Sequence, residues 1–518
     1  MMHSDPISVA EARVVHLTGI KGTGVAALAE VLVSGGASVS GSDGPDTFYT
    51  DELLKKIGVT PRVGFSPDHV PPDAEVLVYS AAYGPENPER QEARRRGISQ
   101  FSYAEALGAL SQGRLSLGVG GVHGKTSTTA MLGAMVARTD LPATVVVGSA
   151  VPSFGGSATL LQGRDLLIAE TCEYRRHFLS FAPDVAIVTS VEADHQDYFP
   201  LLEDMIEAFV EYTLRISSGG TLVYCADDAG ACEVARRASI QRGDLTLLPY
   251  GFSAEGAWRC TVQNQGQGVQ RFILGDGEPE KSSPGGQLDD AHDARNQESD
   301  LLRLFRNQPW ELPLPGVHMV ANATGAICAL RELLRLRQVS SGDLARMIPS
   351  WRAGLADFRG TRRRSEVVAR LGGVTIIDDY AHHPTAIEAT LEGLRAFYPL
   401  SRLVVVFMSH TYSRTAALLD RFARAFSGAH QVILNDIYAS AREENETGIT
   451  GERLFQEVSR CHPQVIYEPD FEKVARYLLK TLCPGDVLVT MGAGDNFRIG
   501  RRVEELLRER GDSETERP

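Results

Sequence analysis

One run of six residues constrains the fold more than any other. The glycine turn Gly121-Val-His-Gly-Lys-Thr126 lies between the apolar stretch Leu115–Val119 and the helical pattern of Ala130–Val136. A strand, a glycine turn and a helix in this order place backbone N–H groups around phosphate oxygens at a helix N-terminus. The lysine and the hydroxyl residue that end the turn reach the outer phosphates and Mg²⁺. The turn therefore predicts ATP binding on an α/β sheet.

The turn differs from the longer phosphate-loop pattern, because Val119 stands where that pattern has its first glycine. The shorter form keeps the glycines and the lysine that phosphate binding requires. The alternative is a solvated lysine at a helix start, with no ligand. The residues predicted to contact ATP here are Gly121, Val122, His123, Gly124, Lys125, Thr126 and Ser127.

Apolar, β-rich runs alternate with helical stretches along the whole chain, and this alternation predicts parallel sheets built from βαβ units. In such sheets, ligands bind at the carboxyl ends of the strands. The expected strands are Val14–Leu17, Val76–Ser80, Leu115–Val119, Leu166–Ala169, Val185–Ser190, Thr221–Tyr224, Val374–Ile377, Leu403–Phe407, Val432–Leu434 and Val487–Thr490.

A length of 518 residues corresponds to three or four domains. Composition changes near Ser111–Arg114 and again near Trp351–Arg364, which predicts boundaries between 113 and 114 and between 358 and 359. We also expect a hinge at 351–360, where two glycines can absorb backbone rotation. The polar segment 264–298 is expected to form a hairpin with a long loop.

The net charge of −14 argues against a partner with a phosphate backbone and against an anionic membrane surface. We therefore expect no nucleic-acid and no membrane partner. The stretch Met1–Ala12 lacks the basic and apolar pattern of a secretory signal. These features predict a cytoplasmic protein.

A second glycine turn follows the first strand. Gly22-x-Gly24-x-x-Ala27 fits the dinucleotide-binding fingerprint, and Asp43 follows at about the distance of the acid that binds a ribose. A nicotinamide-dependent oxidoreductase is therefore one hypothesis. The other is a tight βα turn without a ligand.

Acidic residues and a histidine follow the two strands after the phosphate turn. Glu170 and Glu173 come after one strand, and Glu192, Asp194 and His195 come after the next. Carboxylates and a neutral imidazole at strand ends beside a phosphate turn are suitable ligands for a divalent cation. This placement favours a metal-binding role for His195 over a structural one.

The ordered set of motifs, taken over nearly the whole chain, resembles the ATP-dependent Mur ligases of peptidoglycan synthesis, and within them the branch that adds alanine. The helical stretch Leu202–Ile216 contains no lysine, which agrees with that branch because several other members use a carbamylated lysine. The motifs are Gly19–Gly24, Gly121–Thr126, Glu170–Glu173, Glu192–His195, Leu314–His318 with Asn322, Asp378–Pro384, His410–Thr415, Asp436–Ala439 with Ala441–Glu443, and Gly492–Asp495.

The resemblance implies three α/β domains, each on a mainly parallel sheet with flanking helices. They are a Rossmann-like domain at 1–113 for a UDP-sugar, a P-loop ATPase domain at 114–358, and a Rossmann-like domain at 359–518 for the amino acid. The UDP-sugar contacts it implies are Gly19, Lys21, Gly22, Thr23, Gly24 and Asp43.

The resemblance also assigns roles to single residues. Thr126, Glu173 and His195 are the expected Mg²⁺ ligands, and Asn322, Arg364 and Asp379 are expected to contact ATP at the junction of two domains. The expected catalytic residues are Lys125, Glu173, His195, His382, His410 and Arg414.

The implied reaction joins L-alanine to the lactyl carboxylate of UDP-N-acetylmuramate through an acyl phosphate made from ATP, as a step of peptidoglycan precursor synthesis and hence of cell-wall growth. One alternative is a ligase that adds a tripeptide to the same sugar acid during recycling. Another is the oxidoreductase described above, and a third is a nucleotide-binding regulator without catalysis.

Overall fold

Parallel strand pairing organises three of the four sheets in the described part of the chain. The structure is a computed structural model, and it describes residues 7–195, 198–266, 268–275, 304–306, 308–439 and 445–511. The strands are β1 (Val14–Thr18), β2 (Ser38–Asp43), β3 (Arg62–Val63), β4 (Val76–Tyr79), β5 (Ser99–Ser102), β6 (Leu115–Gly120), β7 (Ala143–Val146), β8 (Thr159–Leu161), β9 (Leu166–Glu170), β10 (Val185–Val188), β11 (Thr221–Cys225), β12 (Thr246–Tyr250), β13 (Cys260–Gly266), β14 (Val269–Leu274), β15 (Trp310–Leu312), β16 (Glu366–Leu371), β17 (Val374–Asp379), β18 (Leu403–Phe407), β19 (Gln431–Leu434), β20 (Val465–Tyr467) and β21 (Val487–Met491).

Helices flank these sheets. The α-helices are α1 (Thr23–Ser34), α2 (Thr50–Lys56), α3 (Pro88–Arg96), α4 (Tyr103–Ser111), α5 (Lys125–Val136), α6 (Leu202–Thr213), α7 (Ala229–Gln241), α8 (Val317–Leu336), α9 (Ser341–Ala356), α10 (Pro384–Phe397), α11 (Tyr412–Ala417), α12 (Leu419–Arg424), α13 (Gly451–Cys461), α14 (Phe471–Thr481) and α15 (Phe497–Glu509). Short 3₁₀ turns cover Pro67–His69, Pro152–Phe154, Tyr174–Ser180 and Gly256–Trp258.

The first sheet has the strand order β3-β2-β1-β4-β5, and every pair in it is parallel. The order runs outward from β1 in both directions, which is the arrangement of a nucleotide-binding half of a Rossmann sheet. Thr18 of β1 is in register with Ser42 of β2, so the turn at Gly19 and the carboxylate of Asp43 leave the sheet at the same edge.

The second sheet has the order β12-β11-β10-β6-β9-β7-β8 and is parallel except for β8. Strand β6 lies between β9 and β10. The phosphate turn, Glu170 and the loop after Val188 therefore emerge side by side at the carboxyl edge. The sequence places its cation-binding motifs after these same strands, and the topology brings them together.

The sheet of the C-terminal third has the order β16-β17-β21-β18-β19-β20, and only its β16–β17 pair is antiparallel. The predicted α/β class, with mainly parallel sheets and flanking helices, is confirmed. A small antiparallel sheet, β13-β14-β15, adds to it. The expected hairpin begins in β13 and β14, whereas residues 276–303 lie outside the described part.

The expected hinge at 351–360 is wrong over most of its length. Residues up to Ala356 belong to helix α9, and the side chain of Trp351 is completely buried. At Gly354 a Cβ atom would lie 2.4 Å from the carbonyl oxygen of Ala134, so this helix packs directly on the backbone of α5. Gly360, with a φ of +84°, follows the helix and keeps the freedom that a hinge requires.

Among the residues that the structure describes, no helix has both the length and the apolar character needed to cross a membrane.

Candidate active site

The phosphate turn has the backbone conformation that its two glycines allow. Gly121 and Gly124 have φ values of +137° and +84°, and a Cβ at Gly121 would lie 2.0 Å from Oγ1 of Thr189. The N–H of Val122 donates to the carbonyl of Ser190 at 2.9 Å, and the N–H of His123 donates to its hydroxyl at 2.8 Å. The loop after β10 therefore fixes the backbone of the turn through hydrogen bonds.

Lys125, Glu173 and His195 form one chain of contacts beside this turn. The Lys125 ammonium lies 2.8 Å from Oε2 of Glu173, and Nε2 of His195 lies 3.5 Å from Oε1 of the same carboxylate. Burial alone would raise the pKa of Glu173, but the Lys125 and His195 side chains hold it below its ordinary value. A buried, ionised carboxylate next to a cationic lysine is therefore in place.

The hydroxyl of Thr126 donates to Oε1 of Glu170 at 2.9 Å, and the other carboxylate oxygen of Glu170 accepts from the N–H of Gly148 at 2.7 Å. Ser127, in the first turn of α5, is buried. The structure thus places a second carboxylate, Glu170, next to the phosphate turn. The expected metal ligands all lie at the carboxyl edge of the second sheet. Thr126 contacts Glu170 there, and His195 contacts Glu173.

The C-terminal domain reaches this cluster through Arg414. Its guanidinium donates from Nε and Nη2 to Oδ1 of Asp194, at 3.0 and 2.8 Å, and from Nη1 to the carbonyl of His410 at 2.8 Å. Although burial opposes it, the Arg414 charge lowers the pKa of Asp194. Asp194 precedes His195, so Arg414 is joined to the Lys125 cluster.

His382 completes the row of expected catalytic residues. Its ring lies 6.2 Å from that of His410, centre to centre, and its Nδ1 is 2.9 Å from the carbonyl of Tyr380. Since a carbonyl only accepts, Nδ1 carries the proton and Nε2 is the acceptor. Burial holds the pKa of His382 well below its ordinary value, and the nearby positive charge of Arg414 lowers this pKa further. The ring is therefore neutral.

Asn322, Arg364 and Asp379, the residues expected to contact ATP at the junction of two domains, have different neighbours in the structure. Asn322 faces the turn, because a Cβ at Gly124 would lie 2.7 Å from its Oδ1. Arg364 lies with its guanidinium 5.0 Å from the centre of the Tyr380 ring. Asp379 is buried and accepts from the N–H groups of Ser365 and Ala381, both at 2.7 Å. Asp379 therefore organises its own loop.

Two of the residues predicted to contact the UDP-sugar, Lys21 and Asp43, form hydrogen bonds within the first domain. Oδ2 of Asp43 accepts from the backbone N–H of Lys21 at 2.7 Å, and its Oδ1 accepts from the hydroxyl of Tyr83 at 2.8 Å. The Lys21 ammonium donates to the carbonyls of Asp46 and Gly44, at 2.7 and 3.2 Å. Both side chains thus fix the turn itself.

A cavity of about 300 Å³ extends from this turn to Glu170, the carboxylate that accepts from Thr126. Gly22 caps helix α1, and the Thr23 hydroxyl accepts from that of Tyr49 at 2.9 Å. At Gly24 a Cβ would meet the ring of Tyr103 at 2.8 Å, and Gly19 faces Tyr83 as closely. The lining residues include Gly22, Thr23, Gly24, Tyr103, Glu170, Cys172 and His177.

Four residues without an individual role in the sequence interpretation contact residues that have one: Glu170, Asp194, Glu192 and His383. Each lies inside a motif already noted: the three acids are in the groups considered for a divalent cation, and His383 is in Asp378–Pro384. Their role depends on contacts across domains. Such contacts leave no spacing pattern within one motif.

Family models match three parts of the chain: "Mur ligase family, catalytic domain" at residues 14–114, "Mur ligase middle domain" at 119–330, and "Mur ligase, glutamate ligase domain" at 363–494. The chain is 44% identical over 497 residues to a UDP-N-acetylmuramate–L-alanine ligase of Treponema pallidum, covering 96% of this chain and 97% of that protein. It is 36% identical to a protein of the same name from Desulfitobacterium hafniense, covering 94% and 99%.

Among solved structures, a UDP-N-acetylmuramate-alanine ligase of Thermotoga maritima matches with a TM-score of 0.71 at 21% identity, covering 96% of this chain and 99% of that one. A murein peptide ligase of Psychrobacter arcticus matches with a TM-score of 0.62 at 19% identity, covering 96% and 98%. At these identities the likeness concerns the fold alone.

A phosphate turn on a parallel sheet, with a glycine-turn sheet before it and another parallel sheet after it, defines a multidomain P-loop enzyme. Within that class, the chain belongs to the Mur ligase family, whose members are ATP-dependent ligases that form an amide bond. This membership favours ligase chemistry over the nicotinamide-dependent oxidoreductase.

Proposed function

We propose that the protein joins L-alanine to the lactyl carboxylate of UDP-N-acetylmuramate, with ATP converted to ADP and phosphate, in peptidoglycan precursor synthesis. The observation that carries this proposal is the continuous row of contacts from Lys125 through Glu173 and His195 to Asp194 and Arg414. It joins a phosphate-binding lysine to a cationic loop of another domain. The substrates are inferred from the full-length relatives named above.

The domain boundaries belong to this proposal. Residues 1–113 bind the UDP-sugar, 114–358 bind ATP, and 359–518 supply the amino-acid side of the site. The cavity between the Gly22 turn and Glu170 is large enough for a small polar ligand. It extends from the Gly22 turn of the first domain to Glu170 of the central domain, so the sugar part of a substrate held at the first turn would point towards the ATP side.

An amide does not form from a free carboxylate and an amine in water, so the acid has to be activated. The lactyl carboxylate attacks the γ-phosphorus of ATP, which gives an acyl phosphate and ADP. Two anions approach each other in this step, so positive charge at the transferring group is essential. Lys125 supplies it from the end of the turn, with its charge maintained by Glu173.

The donor set beside the turn fits Mg²⁺. Thr126, Glu173 and His195 offer a hydroxyl, a carboxylate and an imidazole, and the pKa of Glu173 is held low enough to keep it ionised. When bound, the ion neutralises charge on the phosphoryl oxygens. Glu170 then orients the Thr126 hydroxyl, from which it accepts in the structure.

The alanine amine then displaces phosphate from the acyl phosphate, and a proton has to leave the nitrogen. We assign this proton to Nε2 of His382, because this nitrogen is an acceptor in a neutral ring. His410 and Arg414 lie on the same side and form the amino-acid face of the site. ATP and the UDP-sugar are substrates made inside the cell, so we place the reaction in the cytoplasm.

The experiment that tests the function measures phosphate release from ATP in the presence of UDP-N-acetylmuramate and each amino acid in turn. We expect turnover with L-alanine, and slower turnover with glycine and L-serine. A pocket that holds one methyl group separates such substrates by only about 1–3 kcal/mol. A strict requirement for a tripeptide contradicts the proposal and supports the recycling reaction.

A further inference from the structure

Three side chains that can bind a metal meet outside the Lys125–Glu173–His195 cluster. His123 belongs to the phosphate turn and Glu192 to the loop after β10. His383 directly precedes helix α10. One ligand atom of each lies within 4.8 Å of the others. The group therefore spans the central domain and the C-terminal domain.

The carboxylate of Glu192 divides its two oxygens between different partners. Oε2 accepts from the hydroxyl of Thr385 at 3.0 Å and lies 4.0 Å from Nη1 of Arg421. Oε1 faces the two imidazoles, with Nε2 of His123 at 2.5 Å and Nδ1 of His383 at 3.7 Å. One oxygen is thus held by the protein while the other points between the histidines.

The buried imidazole of His383 is the independent sign of a missing partner. Its side chain is completely buried, and neither ring nitrogen has a hydrogen-bond partner among the residues that the structure describes. Nε2 of His123, by contrast, lies against Oε1 of Glu192 and is paired with that carboxylate. Buried polar nitrogens are almost always satisfied, so the His383 imidazole indicates a ligand beside the His123–Glu192 pair.

The protonation state agrees with metal ligation. Burial lowers the pKa of His383 to about 4, and Glu192, in spite of its burial, keeps a pKa below its ordinary value because of His123. The histidine is therefore neutral and the glutamate ionised at neutral pH. Metal binding requires both states.

We propose that His123, Glu192 and His383 bind one divalent transition-metal ion of the zinc type, separate from the Mg²⁺ site. Two imidazoles and one carboxylate are a common protein ligand set for Zn²⁺, with a water as the fourth ligand. The Mg²⁺ site has one imidazole beside a carboxylate and a hydroxyl, whereas this site has two imidazoles and a single carboxylate, and a higher share of nitrogen ligands favours Zn²⁺ over Mg²⁺. The ion links the phosphate turn to the loop that precedes helix α10 in the C-terminal domain. This inference does not depend on which substrates the enzyme uses.

The test uses the full-length chain, freed of metal by a chelator and titrated with Co²⁺, whose visible absorption reports ligation, and then with Zn²⁺ as competitor. Glu173→Gln with His195→Asn removes two ligands of the other site and serves as the parent protein. We expect this parent to bind one equivalent of Zn²⁺ and displace Co²⁺. His383→Asn on the parent should weaken binding at least about tenfold.

Two further variants keep the test independent of folding. Glu192→Gln preserves the shape of the side chain, and His123→Asn changes a partly exposed residue, so both should lose the site while circular dichroism stays unchanged. His430→Asn, at an exposed histidine, should bind like the parent. Equal stoichiometry and affinity in the parent and all three site variants would overturn the proposal. So would a zinc anomalous peak located only away from these residues.

Discussion

The guanidinium of Arg414 donates two hydrogen bonds to one oxygen of Asp194, a residue 220 positions earlier in the chain. Both side chains are more than nine-tenths buried. An ion pair of this kind exists only while the C-terminal domain contacts the loop after β10. Arg414 is therefore linked to the Lys125 cluster through Asp194 and His195, and the proposed function also places it on the amino-acid side.

Arg414→Ala and Asp194→Asn are expected to lower kcat/KM by similar factors, and the double variant by little more than either single variant. Each single change leaves a buried polar partner unmatched, which costs about 3–5 kcal/mol where the contact is fully formed. A double-mutant cycle on steady-state rates measures the coupling, which we expect to be close to the loss in either single variant. Independent, additive losses would contradict a direct role of the pair.

Lys125→Gln is expected to reduce kcat by about 10²–10³-fold, because the lysine stabilises charge that grows in the transition state. The rate is expressed per folded molecule, since the change also leaves the buried Glu173 without its cation. Lys56→Gln, at an exposed position, is the matched control and should retain full activity. Turnover near that of the wild type in Lys125→Gln would remove this loop from the mechanism.

Glu173→Gln is expected to lower kcat by about 10²-fold or more while the Kd of ATP changes little. A ligand of a catalytic ion acts mainly on the charge of the transition state, so rate and ground-state binding separate. Single-turnover kinetics and ATP titration measure the two quantities on one preparation. Glu207→Gln, at an exposed position of α6, is the control. Parallel loss of binding and rate would assign Glu173 to ATP binding alone.

The sequence was sufficient for the architecture because strand and helix signals are local. The strands predicted at Leu115–Val119 and Leu403–Phe407 appear at those positions, and the helix after the phosphate turn begins at Lys125, directly after the second glycine. The carboxyl ends of parallel strands lie along one edge of a sheet, and ligand-binding residues gather there. The meeting of Lys125, Glu173 and His195 follows from that rule.

The rest of the site depends on contacts that spacing does not encode. The pairing of Asp194 with Arg414 and the position of His383 against His123 require the C-terminal domain to pack on the central one. The hinge expected at Gly354 is wrong for a similar reason. Gly354 looks flexible in the sequence, whereas in the structure its missing side chain lets two helices touch.

Glu89 makes the stability of the first domain depend on pH. It is completely buried, and although burial opposes ionisation, hydrogen bonds from His16, Ser42 and Thr18 lower its pKa below the ordinary value of 4.5. Nδ1 of His69 also lies 3.1 Å from Oε1 of Glu89. A depressed carboxyl pKa stabilises the folded state above the unfolded value, and this stability is lost as the pH falls through the folded value.

We therefore expect Glu89→Gln to destabilise the protein by about 1.5–3 kcal/mol at pH 7, the value of charge-assisted hydrogen bonds. The difference from the wild type should shrink progressively below about pH 4.5. Urea unfolding followed at several pH values measures it. Glu52→Gln, at an exposed position, should show a small difference with no such trend. A difference independent of pH would mean that Glu89 is neutral in the folded protein.

Gly354→Ala is expected to destabilise the protein by about 1–3 kcal/mol, because the added methyl group would lie 2.4 Å from the carbonyl oxygen of Ala134 and force α9 away from α5. Backbone atoms cannot rotate aside as a flexible side chain can. Gly342→Ala in the first turn of the same helix is the control, since a Cβ there comes no closer than 3.9 Å, to Oγ of Ser340. Its expected effect is neutral or stabilising by up to about 1 kcal/mol, as for other helical glycines. Thermal unfolding of the two variants side by side decides the matter: a stabilised Gly354→Ala protein would show that the helices are not in contact in solution, and would restore this position as a candidate hinge.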